Sequence, residues 1–180
     1  FSEHTQSLAL LSRQLNGEIY TRIADGLVND KMLTPATIYF THYLFEAYYL
    51  LGQADTFFDR MELWFSLAAY GFKTTPEQPE PSRSDCHGWG AHPMYHYFAS
   101  LLGIRPIGFG FSEVEIAPMI GHLNQLEGEM AHPSGNIHVT LRVDADYILA
   151  DITLPDGVVG VFRYAGQTVP LKSGWQTLRV

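Results

Sequence analysis

Over roughly the first hundred residues the hydrophobic positions recur at helical spacing, and over the remainder they alternate. Leu8, Leu11 and Leu15 mark one face of a first helix, with Ser2 placed to cap it. Ile19, Ile23 and Leu27 continue the pattern in a second helix that ends near Asn29. Thr34 and Pro35 open a third, the proline falling where a helix needs no N–H. Gly52 closes that helix, and Ala54 to Tyr70 forms a fourth ahead of Gly71. A fifth starts near Asp85 or Gly90 and runs to Leu102, where Gly103 stops it.

The pairs Leu10-Leu11, Leu50-Leu51 and Leu101-Leu102 each close a helix, roughly 40 to 50 residues apart, which fits two helices per repeating unit. Such hairpin arrays stay open as solenoids or close into a toroid. The third helix carries Tyr39, Phe40, Tyr43, Phe45, Tyr48 and Tyr49 and is apolar nearly all round. A helix of that kind is buried on every side, as an inner helix of a closed ring would be. A toroid is therefore expected.

After Pro106 the period changes to two. Ile137, Val139, Leu141 and Val143 share one face of a strand, and His138, Thr140 and Arg142 the other. Ile148, Ala150, Ile152 and Leu154 repeat the alternation. Pro155-Asp156-Gly157 and Lys172-Ser173-Gly174 are turn signals between strands. Six or seven short strands over about 75 residues predict a small antiparallel β-sandwich. The expected class is α plus β in two regions: part of a helical toroid over residues 1–105, then the sandwich over 106–180.

Composition narrows the function more than the fold. A net charge of −8 on 180 residues, spread without runs, argues against nucleic acid and against anionic membranes. No apolar stretch reaches the roughly 18 uncharged residues of a spanning helix; the greasiest is interrupted by His42 and Glu46. A single cysteine, Cys86, permits no intrachain disulfide and leaves the redox compartment unread; it reads as a small buried hydrophobe. The chain opens at Phe1 already within a helical pattern, so a longer parent protein is expected, with any targeting signal upstream. The compartment cannot be read from this chain.

The chemistry concentrates in residues 73–93, KTTPEQPEPSRSDCHGWGAHP, between the fourth and fifth helices. Pro76, Pro79 and Pro81 hold the residues before them extended, which stiffens the segment at little entropic cost. In a toroid such loops ring the mouth where a substrate enters. Glu77 and Glu80 are either solvated loop acids or carboxylates aimed by that stiffness. Arg83, His87 and Trp89 add a bidentate polar group, a histidine and an aromatic platform, the residue types that sugar sites combine. Trp89 alone reads better as a buried anchor at the start of the fifth helix, and Asp85 as that helix's N-cap. His92 and His96, four apart, have the spacing of a zinc pair. With His87 nearby no third ligand is obvious, and the glutamate of a metalloprotease helix is absent, so packing or hydrogen bonding is expected of them and no metal is assigned.

Several motifs carry a resemblance. Thr74-Thr75-Pro76-Glu77, Ser82-Arg83-Ser84-Asp85-Cys86-His87-Gly88-Trp89, Leu102-Gly103-Ile104-Arg105-Pro106 and Gly108-Phe109 are similar to the C-terminal part of bacterial α-L-rhamnosidases of glycoside hydrolase family 78. The opening Phe1-Ser2-Glu3-His4 and Val114-Glu115-Ile116-Ala117-Pro118 extend the resemblance over nearly the whole chain. It implies an (α/α)6 toroid followed by a β-sandwich, and inverting cleavage of terminal α-L-rhamnose by two carboxylic acids without a cofactor. Glu77 matches the general base. His87 matches a histidine that contacts the sugar, and Trp89 a wall of the pocket. The general acid of such enzymes lies earlier in the toroid, and no segment here matches it; Glu3 and Glu46 are the only acids of the helical half worth considering. The chain then corresponds to about half a toroid plus the sandwich, partnered by the missing N-terminal part of its own protein. The competing readings are a non-catalytic helical-repeat module, which leaves the 77–89 loop without a role, and a carbohydrate-binding protein without turnover.

Overall fold

The computed structural model describes residues 1–145 and 147–180. It divides into two units, Phe1–Met94 and Tyr95–Val180. The first holds α1 (Glu3–Leu11), α2 (Gly17–Asn29), α3 (Thr41–Leu51) and α4 (Ala54–Leu67). α1 packs on α2 and α3, and α3 packs on α4.

Local signals set some of the helix ends. The Ser2 hydroxyl accepts the Thr5 N–H at 3.3 Å, satisfying one of the orphan donors of α1. Gly52 ends α3 at φ 67°, and its N–H bonds back to Tyr48 and Tyr49 carbonyls. That left-handed cap is cheap for glycine and costly for other residues.

The start of the third helix differs from expectation. Thr34 lies in a β-bridge, residues 35–37 are not helical, and α3 begins only at Thr41. Thr34 bridges to Ser2 instead: its carbonyl accepts the Glu3 N–H at 3.0 Å and its N–H donates to the Phe1 carbonyl at 3.1 Å. The Ala36 N–H donates to a Glu3 carboxylate oxygen at 2.5 Å. These non-local bonds outweigh a proline that would have suited a first helical turn. The inner face of α1 is also not the leucine row: Glu3, Ser7 and Leu10 are buried, while Leu8 is 51% exposed.

α3 behaves as its composition predicts, with every residue buried or half-buried. Leu44, Phe45, Ala47 and Tyr48 join Leu10, Ile38 and Phe57 in the core. Each fully buried large apolar side chain contributes roughly 1.5–3 kcal/mol. Among the described residues no helix is long and apolar enough to cross a membrane.

The expected single fifth helix is broken into pieces. A 3-10 turn, Gly88–Ala91, precedes one α-turn, α5 (Pro93–His96), which runs into a π-helical turn, Tyr97–Leu101. Pro93 has no N–H to extend a helix from the preceding residues. The end is as expected, with Leu102 as cap and Gly103 at φ 72°. Asp85 lies ahead of the turn and does not cap it; His87 stands at that position. Cys86 is exposed, not buried.

Among the described residues the second unit contains eight strands: β1 (Ile104–Pro106), β2 (Glu113–Ile116), β3 (Gln125–His132), β4 (Gly135–Val143), β5 (Ile148–Leu154), β6 (Val159–Tyr164), β7 (Gln167–Leu171) and β8 (Gly174–Arg179). They form two four-stranded sheets, ordered β1-β2-β6-β7 and β3-β4-β5-β8. Ile137, Val139 and Leu141 on β4, and Ile148, Ala150, Ile152 and Leu154 on β5, are buried as the alternation predicts. Gly157 and Gly174 take positive φ of 79° and 85° in the two predicted turns.

One pairing departs from an all-antiparallel arrangement. β2 runs parallel to β6, with Val114 opposite Gly160. The strands between them in sequence, β3 to β5, belong to the other sheet, so no hairpin dictates the direction. Gly160 permits the approach: a β-carbon there would lie 2.0 Å from the Val114 carbonyl oxygen.

Candidate functional site

The 73–93 loop is pinched at its neck by paired bonds. The His87 N–H donates to the Thr75 carbonyl at 2.7 Å, and the Thr75 hydroxyl donates to the His87 carbonyl at 2.8 Å. The Glu77 N–H donates to the Ser84 carbonyl at 2.8 Å, and the Thr74 hydroxyl to that of Asp85. Pro76 is buried. Gly90 presses against the same neck, where a β-carbon would sit 2.8 Å from the Thr75 β-carbon. The Trp64 indole on α4 donates to the Gly90 carbonyl at 2.7 Å and ties the loop to the helical core.

This framework separates the two glutamates. Glu80 is exposed, and its carboxylate accepts the Ser82 N–H at 3.0 Å within the loop's own turn. The Glu77 side chain is only 14% exposed and meets Arg83. Arg83 Nε donates to Oε2 at 3.2 Å, and Nη2 donates to Oε1. A guanidinium fork of this kind fixes the plane of a carboxylate. Each carboxylate oxygen has a second lone pair with which to accept from water or substrate.

Trp89 is 44% exposed, so it is not the buried anchor that its position alone suggests. Its ring lies against His87, centroids 4.3 Å apart, and its indole N–H reaches the Glu77 carbonyl at 3.4 Å. His87 is half-buried, and its Nδ1 is enclosed without a hydrogen-bond partner among the described residues. Glu77, Arg83, His87 and Trp89 thus form one connected group.

The group also contains residues that periodicity assigned to the core. Tyr39, just ahead of α3, meets Trp89 edge-on at 5.6 Å and is 49% exposed. Tyr43, in the first turn of α3, is hydrogen-bonded to Tyr39, and that bond is the main cause holding its phenol above the usual range. Their signal in sequence, an aromatic run, is the same one that marks a buried helix.

Glu3 is bonded within the helical core. Both Glu3 carboxylate oxygens are engaged, one by Ala36 N–H and the other by Arg60 Nη1 at 3.0 Å. Glu46 is half-buried on α3. His92 Nε2 bonds the Ile38 carbonyl at 2.9 Å, with Trp64 and Phe45 around the ring. Burial pushes its pKa down to about 4. In the second unit, His96 is buried and its Nδ1 bonds the Ser100 hydroxyl at 2.9 Å.

No protein-family model and no curated protein matches this chain. Solved structures do. A family 78 rhamnosidase from Bacillus sp. GL1 aligns over 90% of the chain at 26% identity and a TM-score of 0.75. An α-L-rhamnosidase from Aspergillus terreus aligns over 99% at 17% identity and a TM-score of 0.84. One from Streptomyces avermitilis, solved with L-rhamnose, aligns over 99% at 17% and 0.81. The chain has the fold of part of a rhamnosidase-like glycosidase. It spans only 20%, 24% and 21% of those three chains, and the relationship is distant.

Proposed function

We propose that this chain is the C-terminal part of an inverting α-L-rhamnosidase of glycoside hydrolase family 78, with Glu77 as its general base. One observation carries the reading: a glutamate clamped by Arg83 beside the half-exposed Trp89, on a fold shared with enzymes named rhamnosidases. In the reaction a water sits between Glu77 and the anomeric carbon. Glu77 takes a proton from it as its oxygen bonds to that carbon. The glycosidic C–O bond breaks on the opposite face, and the general acid, supplied by the rest of the protein, protonates the leaving oxygen. Inversion requires the two carboxyls about 6.5–9.5 Å apart to leave room for the water. His87 contacts the ring, and the Trp89 surface suits the sugar's methyl group. The two carboxyls supply the acid and the base, so no cofactor or metal enters the scheme.

The test uses the full-length protein that contains this chain and an aryl α-L-rhamnoside. Glu77→Gln is expected to lower kcat by about 10² to 10⁴, with folding unchanged by circular dichroism. The first product seen by proton NMR is the β-anomer, and metal chelators leave the rate as it was. Near-normal turnover by a folded Glu77→Gln variant, or a retained anomer, would end this assignment. Saturable L-rhamnose binding without hydrolysis by the wild-type protein would replace it with a binding role.

A further inference from the structure

The main-chain bonds of Glu77 stay inside its own loop. Its N–H donates to the Ser84 carbonyl at 2.8 Å, and its carbonyl accepts the Trp89 indole at 3.4 Å. These bonds fix Glu77 relative to the loop and leave open what fixes the loop relative to the helices. That second constraint passes through Trp64 on α4. Its Nε1 donates to the Gly90 carbonyl at 2.7 Å, across 26 positions of sequence.

Trp64 is itself held. It is half-buried, its ring 5.0 Å from that of His92 and 5.9 Å from that of Phe45 in the core. An indole N–H taken out of water needs a partner, and here it takes a loop carbonyl rather than a group of its own helix. Gly90 carries the constraint onward. Its N–H donates to the His87 carbonyl at 3.0 Å, the same oxygen that accepts the Thr75 hydroxyl. It is buried against the neck so closely that a β-carbon would sit 2.8 Å from the Thr75 β-carbon and 3.1 Å from the Pro76 carbonyl oxygen. Pro76 immediately precedes Glu77.

We propose that Trp64 is a positioning residue for Glu77: its indole anchors Gly90, Gly90 braces Thr75 and Pro76, and that brace sets where the Glu77 carboxylate stands over the helices. Trp64 touches no reacting atom and acts only through the loop. The inference rests on the glycosidase reading and adds to it the group that aims the base. A reacting group displaced by about 1 Å loses on the order of 100-fold in rate, so a distant anchor can govern turnover without governing binding.

Kinetics and hydrogen exchange on the full-length protein test it. Trp64→Phe keeps an aromatic ring and removes the donor; it is expected to lower kcat for an aryl rhamnoside about ten- to hundredfold with KM within about twofold. Gly90→Ala leaves Trp64 intact, pushes the neck from the other side and is expected to give the same split. In a Glu77→Gln background neither substitution is expected to cost anything further, because the group being aimed is already gone. A mere loss of folded protein would lower that residual rate as well. Exchange read by mass spectrometry is expected to quicken about tenfold in peptides covering residues 73–90 of Trp64→Phe and to stay as it was in those of α1 and α2. Unchanged exchange over 73–90, a loss confined to KM, or a kcat loss that multiplies with that of Glu77→Gln overturns the proposal. Should Trp64→Phe not fold, Gly90→Ala decides by the same kinetics and the same peptides. Failure of the glycosidase reading appears separately, as full activity in Glu77→Gln, and the exchange result still decides whether Trp64 holds the loop.

Discussion

Arg83 grips Glu77 with two nitrogens, Nε at 3.2 Å from one carboxylate oxygen and Nη2 on the other. The two residues are six apart in the chain, yet their exposure is opposite: the arginine side chain is 74% in water and the glutamate 14%. The guanidinium approaches from solvent and orients a carboxylate that the loop has half enclosed. Sugar contact expected of Arg83 has to be made with whatever this fork leaves free.

Arg83→Lys should expose the value of that geometry. A lysine keeps the charge but cannot make two parallel bonds to one carboxylate. Misplacement of a reacting group by about 1 Å costs on the order of 10- to 100-fold, and kcat should fall within that range. Because the arginine is largely exposed, stability should change by less than about 1 kcal/mol. Steady-state kinetics with a thermal melt checks both; a variant with unchanged kcat would mean that Glu77 is aimed by the loop alone.

Glu3 predicts the converse, a loss of stability without a catalytic cause. Glu3→Ala strips a partner from the Ala36 N–H and from Arg60, whose Nη2 also donates to the Ala36 carbonyl at 2.9 Å. Leaving a largely buried N–H and a guanidinium unmatched should cost about 2–3 kcal/mol. Urea denaturation should show a lower midpoint, and the residual folded fraction should keep the parent kcat. A drop in kcat at full folding would return Glu3 to the list of candidate acids.

His92 should make the first unit sensitive to mild acid. Burial is the largest cause of its depression to about 4, with the Ile38 bond acting in the opposite direction and His42 in the same one. The folded pKa lies below the ordinary value near 6.5, so the unfolded chain binds the extra proton first. The contribution is therefore complete above about pH 6.5 and is lost as pH falls toward 4. Its size is about 2 kcal/mol, the half-buried ring being partly screened by water. Melts of the wild type and His92→Asn between pH 7 and 4 should converge toward acid. Parallel curves would show that another group titrates.

Several features were legible in the residues because their causes are local. Gly52 and Gly103 end helical segments because each takes a left-handed φ, and the pattern of β4 and β5 follows from side chains alternating across a sheet. Ser2 caps α1 with its own hydroxyl, within one turn.

What the tertiary structure decided involves partners that no window along the chain contains. Pro35 suits a helix start, but bonds to Phe1 and Glu3 on either side of it keep its segment out of a helix. The direction of β2 against β6 is free of any turn and is permitted by the missing side chain of Gly160. Periodicity placed Tyr39 in the core with the rest of its aromatic run, and only the approach of Trp89, 50 positions later, makes it part of a site. A hydrophobic pattern records which side chains avoid water. The pairing of an arginine with one glutamate of two, or a tyrosine with a distant tryptophan, is set by where the packed backbone delivers them.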